Sequence, residues 1–250
     1  MLSNFLNQKD YKQGSGNNHF KIVSKDLEPH NIIKTVIVHF SEERFLYTVV
    51  TRHSKDQRFK GIEQISSVVS EGKPYRNQVQ NLHVVCAKSV KQTLEVFKLF
   101  PLFQKLNIGF DAVASDSNVS VRIPKIQYLT INSRIPENLA KAIKGLKQLR
   151  FFGCFDASII QNNGNTLRDL TIHQPVEDLV NLDFQIKSQL NILQVLDGNE
   201  LRCSNFLKNQ QMMTDCILRS CSLDVTKEET LDLKRRNNDL TNLSLKIKFA

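Results

Sequence analysis

One short pattern returns along this chain and restricts its fold more than any other feature. It reads Phe103-x-x-Leu106-x-Ile108, Ile126-x-x-Leu129-x-Ile131 and Leu146-x-x-Leu149-x-Phe151. It continues as Leu167-x-x-Leu170-x-Ile172, Leu190-x-x-Leu193-x-Val195 and Met213-x-x-Cys216-x-Leu218. Val79-x-x-Leu82-x-Val84 precedes the series and Leu240-x-x-Leu243-x-Leu245 ends it. In each copy the last two apolar positions lie two apart, the period of a strand, and an apolar anchor stands three residues upstream. The fourth pattern position advances in steps of 24, 23, 20, 21, 23, 23 and 27 residues. A unit of nearly constant length with one strand each predicts a stack of repeats.

Helix punctuation falls between several copies. Ser89 stands where a cap is needed before Val90, Leu94 and Phe97, and Pro101 stops that run. Pro136 suits the first turn of a helix carrying Leu139 and Ile143, with Gly145 ending it. Asp156 precedes Ser158-Ile159-Ile160, and Thr226 with Glu229 forms a capping-box pattern before Leu231 and Leu233. Strand–helix alternation at constant spacing predicts an α/β solenoid, with parallel strands on a concave face and helices on a convex face, rather than a doubly wound sheet.

The repeats occupy residues 79–250. Residues 1–30 are polar, contain Gly14-Ser15-Gly16, and read as a mobile tail. Residues 31–78 read as an N-terminal cap. Strands are predicted over 32–40 and 44–51, joined around Ser41-Glu42-Glu43, with a helix inside 56–71. The net charge of +9 admits acidic proteins or nucleic acid as partners. Four of those surplus charges fall in residues 1–60 and the rest are spread thinly, which favours a protein partner over a nucleic-acid footprint. An RNA- or DNA-associated subunit of a larger complex is the alternative. No window approaches the ~20 apolar residues of a membrane span, so no membrane role is expected. The five cysteines are odd in number and irregularly spaced, which predicts reduced thiols and an intracellular setting, cytoplasm or nucleus.

The repeat resembles that of the leucine-rich-repeat family, Leu-x-x-Leu-x-Leu-x-x-Asn/Cys-x-Leu. Met213-x-x-Cys216-x-Leu218-x-x-Cys221-x-Leu223 is the fullest match, and Leu146-x-x-Leu149-x-Phe151-x-x-Cys154 supplies the Cys. Asp111, Arg134, Pro175 and Gly198 replace Asn or Cys in other copies, so the turn after those strands must be stabilised differently. The resemblance covers about residues 79–247 and is strongest to the irregular repeats of F-box and ribonuclease-inhibitor-like proteins. No F-box motif precedes the repeats. The resemblance implies a non-catalytic scaffold that recognises a protein through its concave sheet.

No nucleophile elbow, phosphate-binding glycine loop or Cys-x-x-Cys pair is present, so no catalytic residue, cofactor or metal ligand is assigned. Along the strand after Val79, strict alternation turns Cys86 inward and His83 outward, which keeps them from sharing a metal. Alternation likewise turns one set of side chains onto the exposed face of the sheet. Tyr128, Arg150, Phe152, Asp169 and His173 are predicted to form one patch there, extended by Ile192, Leu196 and Ile217. Tyr, Arg and adjacent aliphatics are what interface hot spots use. Phe151 and Phe152 are the weak point, since a slip of one residue exchanges their roles. Lys141, Lys144 and Lys147 are placed on the helix side, as solvated cations near a helix end or as an anion patch.

Overall fold

The computed structural model describes residues 33–40, 45–51, 77, 79–111, 120–183, 186–198, 200–223, 226–237 and 239–247. The expected tail, the turn at 41–43 and the helix within 56–71 lie outside them. The strands are β1 (Ile33–Phe40), β2 (Phe45–Thr51), β3 (Asn81–Ala87), β4 (Lys105–Phe110), β5 (Tyr128–Ile131) and β6 (Gln148–Phe152). They continue as β7 (Asp169–His173), β8 (Leu179–Asn181), β9 (Ile192–Leu196), β10 (Glu200–Arg202), β11 (Asp215–Leu223) and β12 (Asn242–Ile247). Among the described residues five helices separate some of them: α1 (Val90–Leu99), α2 (Glu137–Ala142), α3 (Ala157–Asn163), α4 (Ser204–Lys208) and α5 (Lys227–Arg236).

The main sheet is a parallel run of eight strands, β3-β4-β5-β6-β7-β9-β11-β12, with β1 parallel at the β3 edge and β2 antiparallel outside it. The sheet is open, not a closed barrel. Its register is the one the repeat predicts. Leu82, Leu106, Leu129, Leu149, Leu170, Leu193, Cys216 and Leu243 each face the next in line. Two residues earlier, one main-chain carbonyl per strand accepts two successive N–H groups of the following strand. The acceptors are Gln80, Gln104, Gln127, Lys147, Arg168 and Asn191. This repeated fork satisfies the backbone where each strand begins.

Burial alternates strand after strand, so one face of the sheet is sealed. Leu106, Ile108, Leu129, Ile131, Leu149, Phe151, Leu170, Ile172, Leu193 and Val195 are all buried. They join one core with Phe97 of α1, Leu139 of α2, Ile159 of α3, Phe206 of α4 and Leu233 of α5. Each such side chain contributes roughly 1.5–3 kcal/mol. The helices therefore share one side of the sheet, whereas a doubly wound fold covers both. A second, small parallel ladder, β8-β10 and the last two residues of β11, buries Val180 and Leu201 in the same core.

Local chemistry explains the helices. Ser89 accepts from the Gln92 N–H and Asp156 from that of Ser158, while Thr226 and Glu229 form the reciprocal capping box. α4 starts at Cys203 without a side-chain cap, and the carboxylate of Asp183 in the preceding unit accepts from the Phe206 N–H instead.

The turns after the strands differ from the alternation expected. Cys86, Gly153, Gln174 and Asp197 all have positive φ, between 48° and 69°, and each lies four residues after the aligned apolar position. The chain there swings inward, and Ala87, Cys154, Pro175 and Gly198 are buried behind it. Cys86 is consequently not the inward residue; Ala87 is, because strict alternation stops where the backbone turns left-handed. After β5 a side chain does the work: the Ser133 hydroxyl accepts from the Phe110 N–H and donates to the Phe110 carbonyl. Cys154 donates its thiol to the carbonyl of Ile131 in the preceding unit, 3.8 Å away.

Three buried amides close units on themselves. Asn163 accepts from the Leu146 N–H, Gln210 from that of Leu190, and Asn237 from that of Met213. In each case the donor is the apolar anchor that begins the same unit. The amide NH2 of each then bonds a carbonyl two or three residues before that anchor, at Ile143, Ser188 and Gln210. Buried polar groups stabilise only when paired, and in all three amides both the oxygen and the nitrogen have a partner.

Candidate functional site

The unsealed face of the sheet carries three aligned rows of side chains. Asn81, Lys105, Tyr128, Gln148, Asp169 and Ile192 follow one another in the first. His83, Asn107, Thr130, Arg150, Thr171, Gln194 and Ile217 make the second, and Phe152, His173, Leu196 and Arg219 the third. All eight residues singled out from the sequence sit on this face. Phe151 is fully buried and Phe152 is 38% exposed, so the phenylalanine pair takes the expected register. Residues of all five helices pack into the core on the other side of the sheet.

The β3–β6 half is a shallow polar groove of about 360 Å³. Asn81, His83, Lys105, Asn107, Tyr128, Thr130, Gln148 and Arg150 line it. The Lys105 ammonium lies 4.9 Å from the centre of the Tyr128 ring, within cation–π range. Gln148, its amide oxygen turned to Arg150, accepts from Nε at 3.3 Å and Nη2 at 2.9 Å. That bracing orients the guanidinium while leaving other donors directed outward. Asn107 accepts from the Asn132 amide and lies 3.5 Å from His83 Nδ1, and Asn81 donates to Thr35 Oγ1. Burial holds the His83 imidazole below its usual pKa, which favours the neutral ring. Among the described residues, neither Lys105 nor Arg150 has a carboxylate within salt-bridge distance.

The β6–β11 half is different. The Phe152 and His173 rings stack at 5.5 Å with a 39° tilt, and His173 Nε2 lies 3.8 Å from Asp197 Oδ2. Leu196 follows His173 in the same row, Ile217 stands on the row beside it and Ile192 on the first row between Asp169 and Asp215, all three half-buried. Partial burial raises the Asp169 pKa, and the nearby Arg150 charge opposes that rise. The structure thus brings Tyr128 and Arg150 into one groove and Phe152, His173 and Leu196 into one strip, while Ile217 stands a row away.

Sequence reasoning stopped one strand short. The offsets that selected Tyr128 and Arg150, applied to Val79-x-x-Leu82-x-Val84, point to Asn81 and His83, and Lys105 and Asn107 complete the groove. Among the described residues no three His, Cys, Asp or Glu side chains converge as a metal site needs, and no helix is long and apolar enough to cross a membrane. Lys141 pairs with Glu137 one turn before it, and Lys144 is exposed. Comparison with protein families, curated proteins and solved structures finds no match to this chain.

Proposed function

We propose that this chain is a leucine-rich-repeat-like solenoid acting as a non-catalytic recognition scaffold, which holds a protein against the unsealed, concave face of its sheet. The observation that carries this reading is the unbroken alignment of outward rows from β3 to β11, with Tyr128, Arg150 and Phe152 central to them. A parallel sheet that leaves one face uncovered needs a repeating device to hold each strand in place. The left-handed turns, the Cys154 thiol bond and the three closing amides are consistent with such a device. The reading includes an intracellular setting. Cys86, Cys154, Cys203 and Cys216 are free thiols, as a reducing compartment would keep them.

The test is affinity capture with the folded chain as bait. A double variant, Arg150→Glu with Phe152→Ala, alters the open face without touching the core, and Lys144→Glu alters the helix side. A protein partner retained by the wild type and by Lys144→Glu, and lost by the double variant, supports the scaffold. Equal capture by all three baits, or loss at Lys144→Glu alone, places recognition elsewhere. Capture of RNA that declines steeply with salt instead marks the nucleic-acid alternative.

A further inference from the structure

We infer that the open face is polarised and takes an extended protein segment lying across the strands, its carboxylates against Lys105 and Arg150 and its apolar side chains against Phe152, Ile192, Leu196 and Ile217. This rests on the scaffold reading and adds the chemistry and direction of the partner. On the outward rows of β3–β6 the cations are Lys105 and Arg150, and no carboxylate stands among the groove residues. Across β7–β11 acids outnumber cations, with Asp169 and Asp215 in the first row and Asp197 just past the third against Arg219 in the third. The apolar strip lies on that second half. A segment entering in the opposite sense would set its acids against Asp169, Asp197 and Asp215, and like charges in partly desolvated contact are repelled.

The geometry also sets the length. From β4 to β11 there are five strand steps of about 4.8 Å, or about 24 Å, spanned by about seven extended residues. Nucleic acid fits the face less well. Lys105 already occupies the Tyr128 ring at 4.9 Å, which removes that ring as a platform for a base. Phe152 is likewise engaged by His173, and the aliphatic strip offers nothing to phosphates.

The experiment uses the full chain and synthetic peptides of about twelve residues. One peptide has glutamates at one end and leucines and phenylalanine at the other, in both chain directions. A second has the same composition with the two residue types interleaved, and a third has lysine in place of glutamate. A benzophenone side chain at either end reports position by photo-crosslinking, and an oligouridine of about 20 nucleotides is run alongside. The expected result is preferential binding of the segregated acidic peptide, with crosslinks from its acidic end in residues 105–150 and from its apolar end in 192–217. Lys105→Glu with Arg150→Glu should weaken it at least about tenfold. The lysine peptide should then bind the charge-reversed chain, which shows that the variant is still folded.

Binding that ignores the charge reversal, crosslinks in the opposite sense, or no peptide binding at about 1 mM overturns the inference. If interleaved and segregated peptides bind the face equally, the polarity is wrong and the scaffold reading stands. Oligouridine binding that Arg150→Glu abolishes, with no peptide binding, overturns both.

Discussion

Replacing Asn163 with Leu tests whether the buried amides hold the units closed. Asn163 is 1% exposed, accepts from the Leu146 N–H at 2.9 Å, and donates to the Ile143 carbonyl at 3.1 Å and the Ile159 carbonyl at 2.8 Å. Leucine leaves the Leu146 N–H and the Ile143 carbonyl without this partner, each a cost of about 1–3 kcal/mol. The extra apolar side chain returns about 1 kcal/mol by burial. The expected net loss is about 1–5 kcal/mol, centred near 3 kcal/mol. With m near 3 kcal/mol/M, a loss of 3 kcal/mol lowers the urea midpoint by about 1 M, readable by circular dichroism. Asn162 is the internal control. It is exposed and, among the described residues, donates only to the Ala140 carbonyl, so Asn162→Leu should cost under about 1 kcal/mol. Equal midpoints for the two variants would refute the closing role.

Further outcomes follow from register, thiol burial and the groove histidine. Leu170 is fully buried and Thr171 faces outward, so Leu170→Asp should cost several kcal/mol while Thr171→Asp costs under about 1 kcal/mol, compared by melting temperature. Burial pushes the Cys154 and Cys216 thiols up to about 12, so iodoacetamide near pH 8 should modify the half-buried Cys86 well before either, by peptide mass spectrometry. Burial lowers the His83 pKa, so the unfolded chain takes up its proton first as pH falls below about 6.5. Stability should therefore decrease from that point down to the lowered native value. His83→Asn should lose less than the wild type between pH 7.5 and 5.5, a window set by the usual histidine pKa of about 6.5.

The ladder was legible because each copy couples a period-2 strand to an anchor, and burial on one face leaves a single workable register. What escaped were elements too short to show a period. β8 and β10 have three residues each and bury only Val180 and Leu201 between exposed or half-buried neighbours. α4 has five residues, and its external acceptor, Asp183, lies 23 residues before Phe206. The left-handed turns escaped too: of the four residues only Gly153 is of a type that favours that conformation, and Cys86, Gln174 and Asp197 carry side chains that do not announce it. Asn163, Gln210 and Asn237 read as surface polar residues until the chain folds each against its own anchor. On the open face the offsets sufficed to place all eight named residues, but braces such as Gln148 on Arg150 depend on side-chain reach, which register alone does not supply.

Hydroxyl-radical footprinting of the chain with and without the captured protein tests the binding face most directly. Phe152, Tyr128 and Leu196 report on the open face, while Leu102, Val176, Met212 and Leu231 are exposed apolar residues outside its three rows. The expected result is that oxidation of Phe152, Tyr128 and Leu196 falls severalfold in the complex while Met212 and Leu231 react as before. Protection of Met212 or Leu231, with Phe152 and Tyr128 unchanged, would contradict recognition through the open sheet.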